Sequence, residues 1–222
     1  MSLQSECRFL LVDDHAVVRE GIAFLLQAEE NMSVVAQAAS CKEGLEAIEK
    51  YRPNLVVTDL SLPDRNGLEL IRDALAVYPE TLFLVVSMHD EALYAERVLR
   101  AGAKGYIMKE AASDELVEAV RQITRGEIYV SPKMANLLLR RLSNNQGKLP
   151  EENSVLQILS DRELQVFELV GKAFSNQDIA EKLNISARTV DAHKTKIKTK
   201  LEISDNNALL RFAVQWLNLE DI

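Results

Sequence analysis

Apolar positions along the first 126 residues follow two alternating patterns. Short runs at residues 8–12, 34–38, 55–58, 82–86 and 105–107 are apolar almost without interruption, as in strands buried on both faces. Between them, residues 16–28, 42–51, 67–77, 90–101 and 113–125 space their apolar side chains at helical intervals. Five strand–helix units in this order predict an α/β domain, a doubly wound five-stranded parallel sheet. In such folds, chemistry collects where strands end at their carboxyl edge.

Residues after 126 break the alternation. A helix fits 133–142, and Ser143-Asn144-Asn145-Gln146-Gly147-Lys148-Leu149-Pro150 has the composition of a linker. The last 67 residues show only the helical period and predict an all-α unit of four helices. Ser160 with Glu163 forms a capping box opening a helix to about Ala173. Ser175 with Asp178 opens a shorter helix to Leu183. Asn184-Ile185-Ser186 is a tight turn, and Ser186 caps a third helix to Leu201. A fourth helix over 206–217 carries Leu209, Phe212, Ala213 and Trp216 on one face. Helix, tight turn, helix is the helix-turn-helix pattern. The expected organisation is therefore a domain over 1–127, a linker with a helix over 128–155, and a helix-turn-helix domain over 156–222.

Composition narrows the function. No run of about 18 apolar residues exists, so no membrane-spanning helix is expected, and nothing at the N-terminus reads as a secretory leader. Cys7 and Cys41 lack metal spacing, and a reduced cytoplasmic protein is the simplest reading. The net charge of −8 argues against nucleic acid until it is divided along the chain. Residues 1–130 carry −9, residues 131–154 carry +2 and residues 155–222 carry −1. Within the last part, residues 186–200 carry +4, from Arg188, Lys194, Lys196, Lys198 and Lys200 against Asp191. The acidity sits in the first domain, and a short basic helix sits in the last.

The strand ends carry the first candidate chemistry. Strand one ends at Asp13-Asp14 and strand three at Asp59, which brings three carboxylates to one edge. Like charges this close call for a divalent cation, and oxygen donors with room for water favour Mg²⁺ over zinc. Strand four ends at Ser87 and strand five near Lys109, adding a hydroxyl and an ammonium. Those are the donors that a transferring phosphoryl group needs, because its catalysis is mostly positioning and charge neutralisation. A carboxylate nucleophile here would form an acyl phosphate.

Four stretches resemble the receiver domain of two-component response regulators, a flavodoxin-like fold. They are Val12-Asp13-Asp14-His15, Thr58-Asp59-Leu60-Ser61-Leu62-Pro63-Asp64-Arg65-Asn66-Gly67, Ser87-Met88-His89-Asp90, and Ala101-Gly102-Ala103-Lys104-Gly105-Tyr106-Ile107-Met108-Lys109. The resemblance implies that Asp59 receives a phosphoryl group from a sensor histidine kinase. It implies that Asp14 binds Mg²⁺ directly and Asp13 through water, with Asp59 and the Ser61 main-chain carbonyl as further ligands. Lys109 and Ser87 would bond the phosphoryl oxygens, and Tyr106 would be an aromatic switch following Ser87 inward. Leu62 replaces a common Met, and Met88 is bulkier than usual, which would restrict water and alter phosphoryl lifetime. His15 and His89 read as polar loop residues.

On a helical wheel at about 100° per residue, Val190, Ile197 and Leu201 share one side of the basic helix. Arg188, Ala192, Thr195 and Thr199 share the opposite side, flanked by Asp191 and Lys198 on one edge and Lys196 and Lys200 on the other. Small side chains between basic flanks suit a major groove, lysines gripping phosphates and short side chains approaching bases. The segment resembles the LuxR type of DNA-binding domain, through Leu159-Ser160-Asp161-Arg162-Glu163, Ser175-Asn176-Gln177-Asp178-Ile179-Ala180-Glu181-Lys182-Leu183 and Ile185-Ser186-Ala187-Arg188-Thr189-Val190-Asp191-Ala192-His193. Both domains together are similar to response regulators of the NarL/FixJ family. That likeness implies backbone contacts from Thr189, His193, Lys196 and Lys200, and base reading by Asp191, Ala192 and Thr195. It also implies a homodimer on double-stranded DNA, with Phe212 and Trp216 on a candidate dimer surface. Ala173 stands where a helix-ending Gly is usual, Asp191 where Lys is frequent and Asn206 where Arg is common. Two other readings stay open: a DNA binder that ignores phosphorylation, and an acyl-phosphate-forming phosphatase. Asp59-Leu60-Ser61 departs from the Asp-x-Asp pattern of the latter.

Overall fold

A computed structural model describes residues 7–143, 155 and 158–220. Two compact units divide the chain, 1–140 and 141–222. Among the described residues, no helix is long and apolar enough to cross a membrane.

In the first unit the strands are β1 (Cys7–Val12), β2 (Met32–Ala38), β3 (Leu55–Thr58), β4 (Leu82–Ser87) and β5 (Gly105–Met108). They form one parallel sheet in the order β2-β1-β3-β4-β5. The connecting helices are α1 (Ala16–Gln27), α2 (Cys41–Tyr51), α3 (Gly67–Val77), α4 (Glu91–Arg100) and α5 (Ala112–Thr124). Each expected element is present with ends shifted by at most two residues. Phe9, Leu11, Leu55, Val57, Leu84, Val86 and Ile107 turn to one face and form one core with Ile22 and Leu26 of α1 and Leu116, Val120 and Ile123 of α5. Alternation sends Val12 to the opposite face, where a β-carbon on Gly44 of α2 would touch it and Leu70 of α3. Burial on both sides is why these strands read as unbroken apolar runs.

Caps fix where the helices begin. The Ser40 side chain accepts from the Glu43 N–H, Asn66 from Leu68 and Asp90 from Ala92. The Asp64 carboxylate adds two bonds at the start of α2, from the main-chain N–H of Cys41 and Lys42.

The stretch after α5 is attached to β5, α4 and α5 at several points. Tyr129 pairs with the outer edge of β5: its N–H donates to the Lys104 carbonyl and its carbonyl accepts from Tyr106, both at 2.9 Å. Its hydroxyl donates to Glu115 at 3.1 Å. The Ser131 N–H and hydroxyl both bond the Glu91 carboxylate of α4. Ser131 then accepts from the N–H of Met134, a buried residue of α6 (Pro132–Ser143). The polar stretch from Asn144 to Pro150 lies outside the described residues.

The second unit holds α7 (Asp161–Gly171), α8 (Asn176–Lys182), α9 (Ala187–Lys200) and α10 (Asn206–Glu220). Both expected capping boxes are present, Ser160 with Glu163 and Ser175 with Asp178. Ser186 accepts from the Thr189 N–H at 3.1 Å and opens α9. Helix α7 stops at Gly171, two residues before the expected end. Ala173 itself takes the left-handed conformation, φ 60°, while Phe174 N–H returns to the Leu169 carbonyl at 3.1 Å. The chain thus makes with Ala the reversal that Gly makes without strain. Phe167 of α7 packs edge-on against Trp216 of α10, ring centres 5.5 Å apart, and Phe212 stands 6.0 Å from the same ring. Leu209, Ala213 and Trp216 are buried, whereas Phe212 remains 38% exposed.

Candidate functional site

In-register pairing of Val12 with Thr58 places the next residues side by side at the carboxyl edge. Asp13 and Asp59 are each 3% exposed, and Lys109 Nζ bridges them, 2.6 Å from Asp13 Oδ2 and 2.7 Å from Asp59 Oδ2. Burial alone would lower the ammonium's pKa, but the Asp59 and Asp13 carboxylates outweigh it and hold Lys109 above the usual lysine range. Asp59 Oδ1 accepts the Leu60 N–H at 2.6 Å. Asp14 is more open, its side chain 38% exposed, with Oδ1 2.6 Å from His15 Nδ1.

Three carboxylates and one ammonium leave a net charge that a divalent cation would balance, and hard carboxylate oxygens suit magnesium-like ions. Donor atoms of Asp13, Asp14 and His15 lie within 4.8 Å of one another. The residues present therefore fit such an ion.

Glycine is required beside this pocket. A β-carbon at Gly67 would lie 2.1 Å from the Asp59 main-chain oxygen. This close approach lets α3 begin against the loop that carries Asp59, with Gly67 N–H donating to the Leu60 carbonyl at 2.9 Å.

Ser87 is fully buried at the end of β4, and its Oγ accepts weakly from the His89 N–H at 3.4 Å. Tyr106 is also fully buried and points inward, its hydroxyl donating to the His89 carbonyl at 2.7 Å. The His89 ring packs tilted against Tyr94, ring centres 4.7 Å apart, and its Nε2 lies 2.9 Å from the Ser61 hydroxyl. His89 thus joins the loop after β3, the loop after β4 and the aromatic on β5. Its position two residues past a strand end was the signal that could have marked it. Met88 points outward and is 62% exposed. Arg19, which no motif in the sequence marks, donates from α1 to the Asp13 carbonyl.

In the second unit α9 buries Val190 and Ile197 and half-buries Leu201. Arg188, Thr189, Asp191, Ala192, Thr195, Lys196 and Lys200 are exposed, and His193 is half-buried. Burial, with the nearby Arg162 and Lys196 charges, lowers the His193 pKa from its usual range. Lys200 Nζ lies 2.7 Å from Oε2 of Glu163, whose side chain is only 5% exposed. The same oxygen accepts the Ser160 N–H of the capping box at 2.8 Å. Asp191 Oδ1 accepts from the Asn176 side chain at 2.5 Å.

A five-stranded parallel sheet with this carboxylate–lysine edge, followed by a helix-turn-helix unit, defines a response regulator. The response regulator receiver domain matches residues 9–121, and the bacterial regulatory proteins of the luxR family match residues 157–213. The chain belongs to the response regulators with a luxR-type output domain, the NarL/FixJ family. It is 38% identical over 210 residues to the oxygen regulatory protein NreC of Staphylococcus carnosus (strain TM300), covering 94% of this chain and 97% of that one. A two-component response regulator of the LuxR family from Aurantimonas sp. SI85-9A1 is 34% identical, with a TM-score of 0.59, over 63% of this chain and 99% of that chain. RcsB of Salmonella enterica serovar Typhimurium, solved bound to promoter P1flhDC with the phosphomimetic BeF3-, is 25% identical with a TM-score of 0.62, over 94% of this chain and 98% of that chain.

Proposed function

We propose that Asp59 accepts a phosphoryl group from a sensor histidine kinase and that this controls DNA binding by the second unit. The observation that carries the reading is the buried Asp59 carboxylate, held at 2.7 Å by Lys109 beside a second buried carboxylate, Asp13. A carboxylate oxygen of Asp59 attacks phosphorus, the phosphorus–nitrogen bond of the kinase phosphohistidine breaks, and the imidazole leaves with the electron pair. Lys109 then pairs with a phosphoryl oxygen in place of the Asp59 charge. Ser87 turns to hydrogen-bond another, and Tyr106 fills the space beside it.

Asp13, Asp14, Asp59 and the Ser61 main-chain carbonyl are the groups that would hold Mg²⁺. When bound, that ion supplies charge neutralisation for the phosphoryl oxygens. The chain's only chemistry on this reading is its own phosphorylation and the later hydrolysis of its acyl phosphate.

Helix α9 enters the major groove of double-stranded DNA as part of a homodimer formed on phosphorylation. Thr189, His193, Lys196 and Lys200 face the backbone, Asp191, Ala192 and Thr195 face the bases, and Arg188 shares the exposed face with them. The luxR-type output domain and the promoter-bound RcsB support this. A DNA partner implies the cytoplasm. Incubating the protein with a labelled small acyl-phosphate donor and Mg²⁺ should give acid-labile label at Asp59. Undiminished labelling of Asp59→Asn would sink the assignment.

A further inference from the structure

Asp191 is the feature of α9 least suited to a polyanion, and the structure holds it in a defined place. Asn176, the first residue of α8, donates its side-chain N–H to Asp191 Oδ1 at 2.5 Å. The oxygen of the same amide accepts from the Lys194 ammonium. One amide therefore ties a carboxylate and an ammonium of α9 to the preceding helix. Its orientation is dictated by both partners, since the reversed amide would face acceptor to carboxylate and donor to ammonium. Lys194 is half-buried while Asp191 is exposed, so the positive end of the relay lies inward and the negative end outward.

A carboxylate only accepts hydrogen bonds. In the major groove guanine offers N7 and O6 and thymine offers O4, all acceptors. Cytosine offers its N4 amine, and adenine offers its N6 amine beside an N7 acceptor that would repel a second carboxylate oxygen.

We propose that Asp191 selects cytosine at one position of each half-site, and that Asn176 is a positioning residue that aims it. The inference rests on the reading that α9 lies in the major groove. It adds the base class recognised and assigns Asn176 and Lys194 to specificity rather than to phosphate binding.

The test is selection from randomised duplex DNA by the full-length protein treated with a small acyl-phosphate donor and Mg²⁺. Wild type is expected to enrich cytosine at one half-site position by roughly 10-fold over other bases, the worth of one good base contact. Asp191→Ala should flatten that position alone, and Asp191→Asn should move it toward adenine, which an amide can bond at both N6 and N7. Asn176→Ala should flatten the same position while leaving the other positions and the salt dependence of binding unchanged. A cytosine position unaffected by Asp191→Ala, or none at all in an otherwise well-defined site, overturns the inference. If Asn176→Ala leaves the position intact, its positioning role is overturned. If Asn176→Ala does not fold, the Asp191→Asn shift decides the cytosine assignment, and Lys194→Met is expected to weaken the same cytosine preference; an unchanged preference in Lys194→Met overturns the relay. Absence of any DNA selection by wild type defeats the underlying DNA-binding reading instead.

Discussion

Lys109 Nζ sits 2.7 Å from Asp59 Oδ2 and closes the same contact to Asp13 at 2.6 Å, so one buried ammonium serves two buried carboxylates. Replacing it with Met leaves both carboxylates without their counter-charge. Breaking a buried pair by deleting one partner costs about 3–5 kcal/mol. Urea unfolding in EDTA should show a loss of that order for Lys109→Met. Adding Mg²⁺ should recover part of it, because a ligand that binds only the folded state stabilises by mass action. Equal stability of Lys109→Met and wild type in EDTA would contradict the reading of the pocket as an unbalanced negative site.

Gly67 tests the packing that brings Asp59 to the edge. A methyl group there would meet the Asp59 carbonyl at 2.1 Å, and backbone cannot yield as a side-chain tip can. Gly67→Ala should therefore cost at least about 1–3 kcal/mol, the usual range for overpacking. It should also slow labelling of Asp59, since relief of the clash moves the residue that carries the carboxylate. Thermal melts and acyl-phosphate labelling measure the two effects. A variant with wild-type melting and labelling would show that α3 can shift without moving the pocket.

The acidic edge was legible in the sequence because its residues follow directly from strand ends. Apolar runs stop at Val12, Val57 and Val86, and the residues that follow, Asp13, Thr58-Asp59 and Ser87, form the edge. The attachment of Tyr129 was not legible. Gly126-Glu127-Ile128-Tyr129 has no period, and its hydrogen bonds go to β5, an edge fixed only once the sheet is assembled. The contacts of His89 and Arg19 were not legible for a related reason. Arg19 donates to the Asp13 main-chain carbonyl, while His89 meets the Ser61 hydroxyl with its ring and accepts from the Tyr106 hydroxyl with its own carbonyl, and single residues do not announce such contacts. On α9 the wheel separated buried from exposed positions, but it could not show that Asn176 and Glu163 reach across from other helices.

Ala173 carries a cost that a single substitution should remove. Its φ of 60° places an L side chain in the left-handed region, where Cβ crowds the backbone by about 1–2 kcal/mol. Glycine there loses the clash but gains flexibility in the unfolded chain, about 0.5–1 kcal/mol in the other direction. Ala173→Gly should thus raise the stability of the second unit by up to about 1 kcal/mol, read as a higher melting temperature. A lower one would mean that Ala173 packs against something worth more than the strain.

Lys200 and Glu163 tie α9 to the start of α7, and this gives Lys200 a role in the fold besides the DNA contact proposed for it. Burial would raise the Glu163 carboxyl, but the Lys200 ammonium and the Ser160 donors outweigh it and hold its pKa below the usual 4.5. A depressed carboxyl stabilises the fold fully above its unfolded pKa, and that contribution is lost as pH falls through the folded value. Stability of the second unit should therefore decline below about pH 4.5, and Glu163→Gln should flatten that decline while lowering stability at neutral pH. Lys200→Ala strands a carboxylate that is 5% exposed. With Lys200 itself 40% exposed, screening reduces the loss to about 1–2 kcal/mol. Lys196 is exposed and should behave differently. Lys196→Ala should lower the salt slope of DNA binding by about one unit and change stability by less than about 0.5 kcal/mol. Equal melting temperatures for Lys200→Ala and Lys196→Ala would show that the Glu163 contact contributes nothing to the fold. A salt slope unchanged in Lys196→Ala would remove that residue from the phosphate contacts.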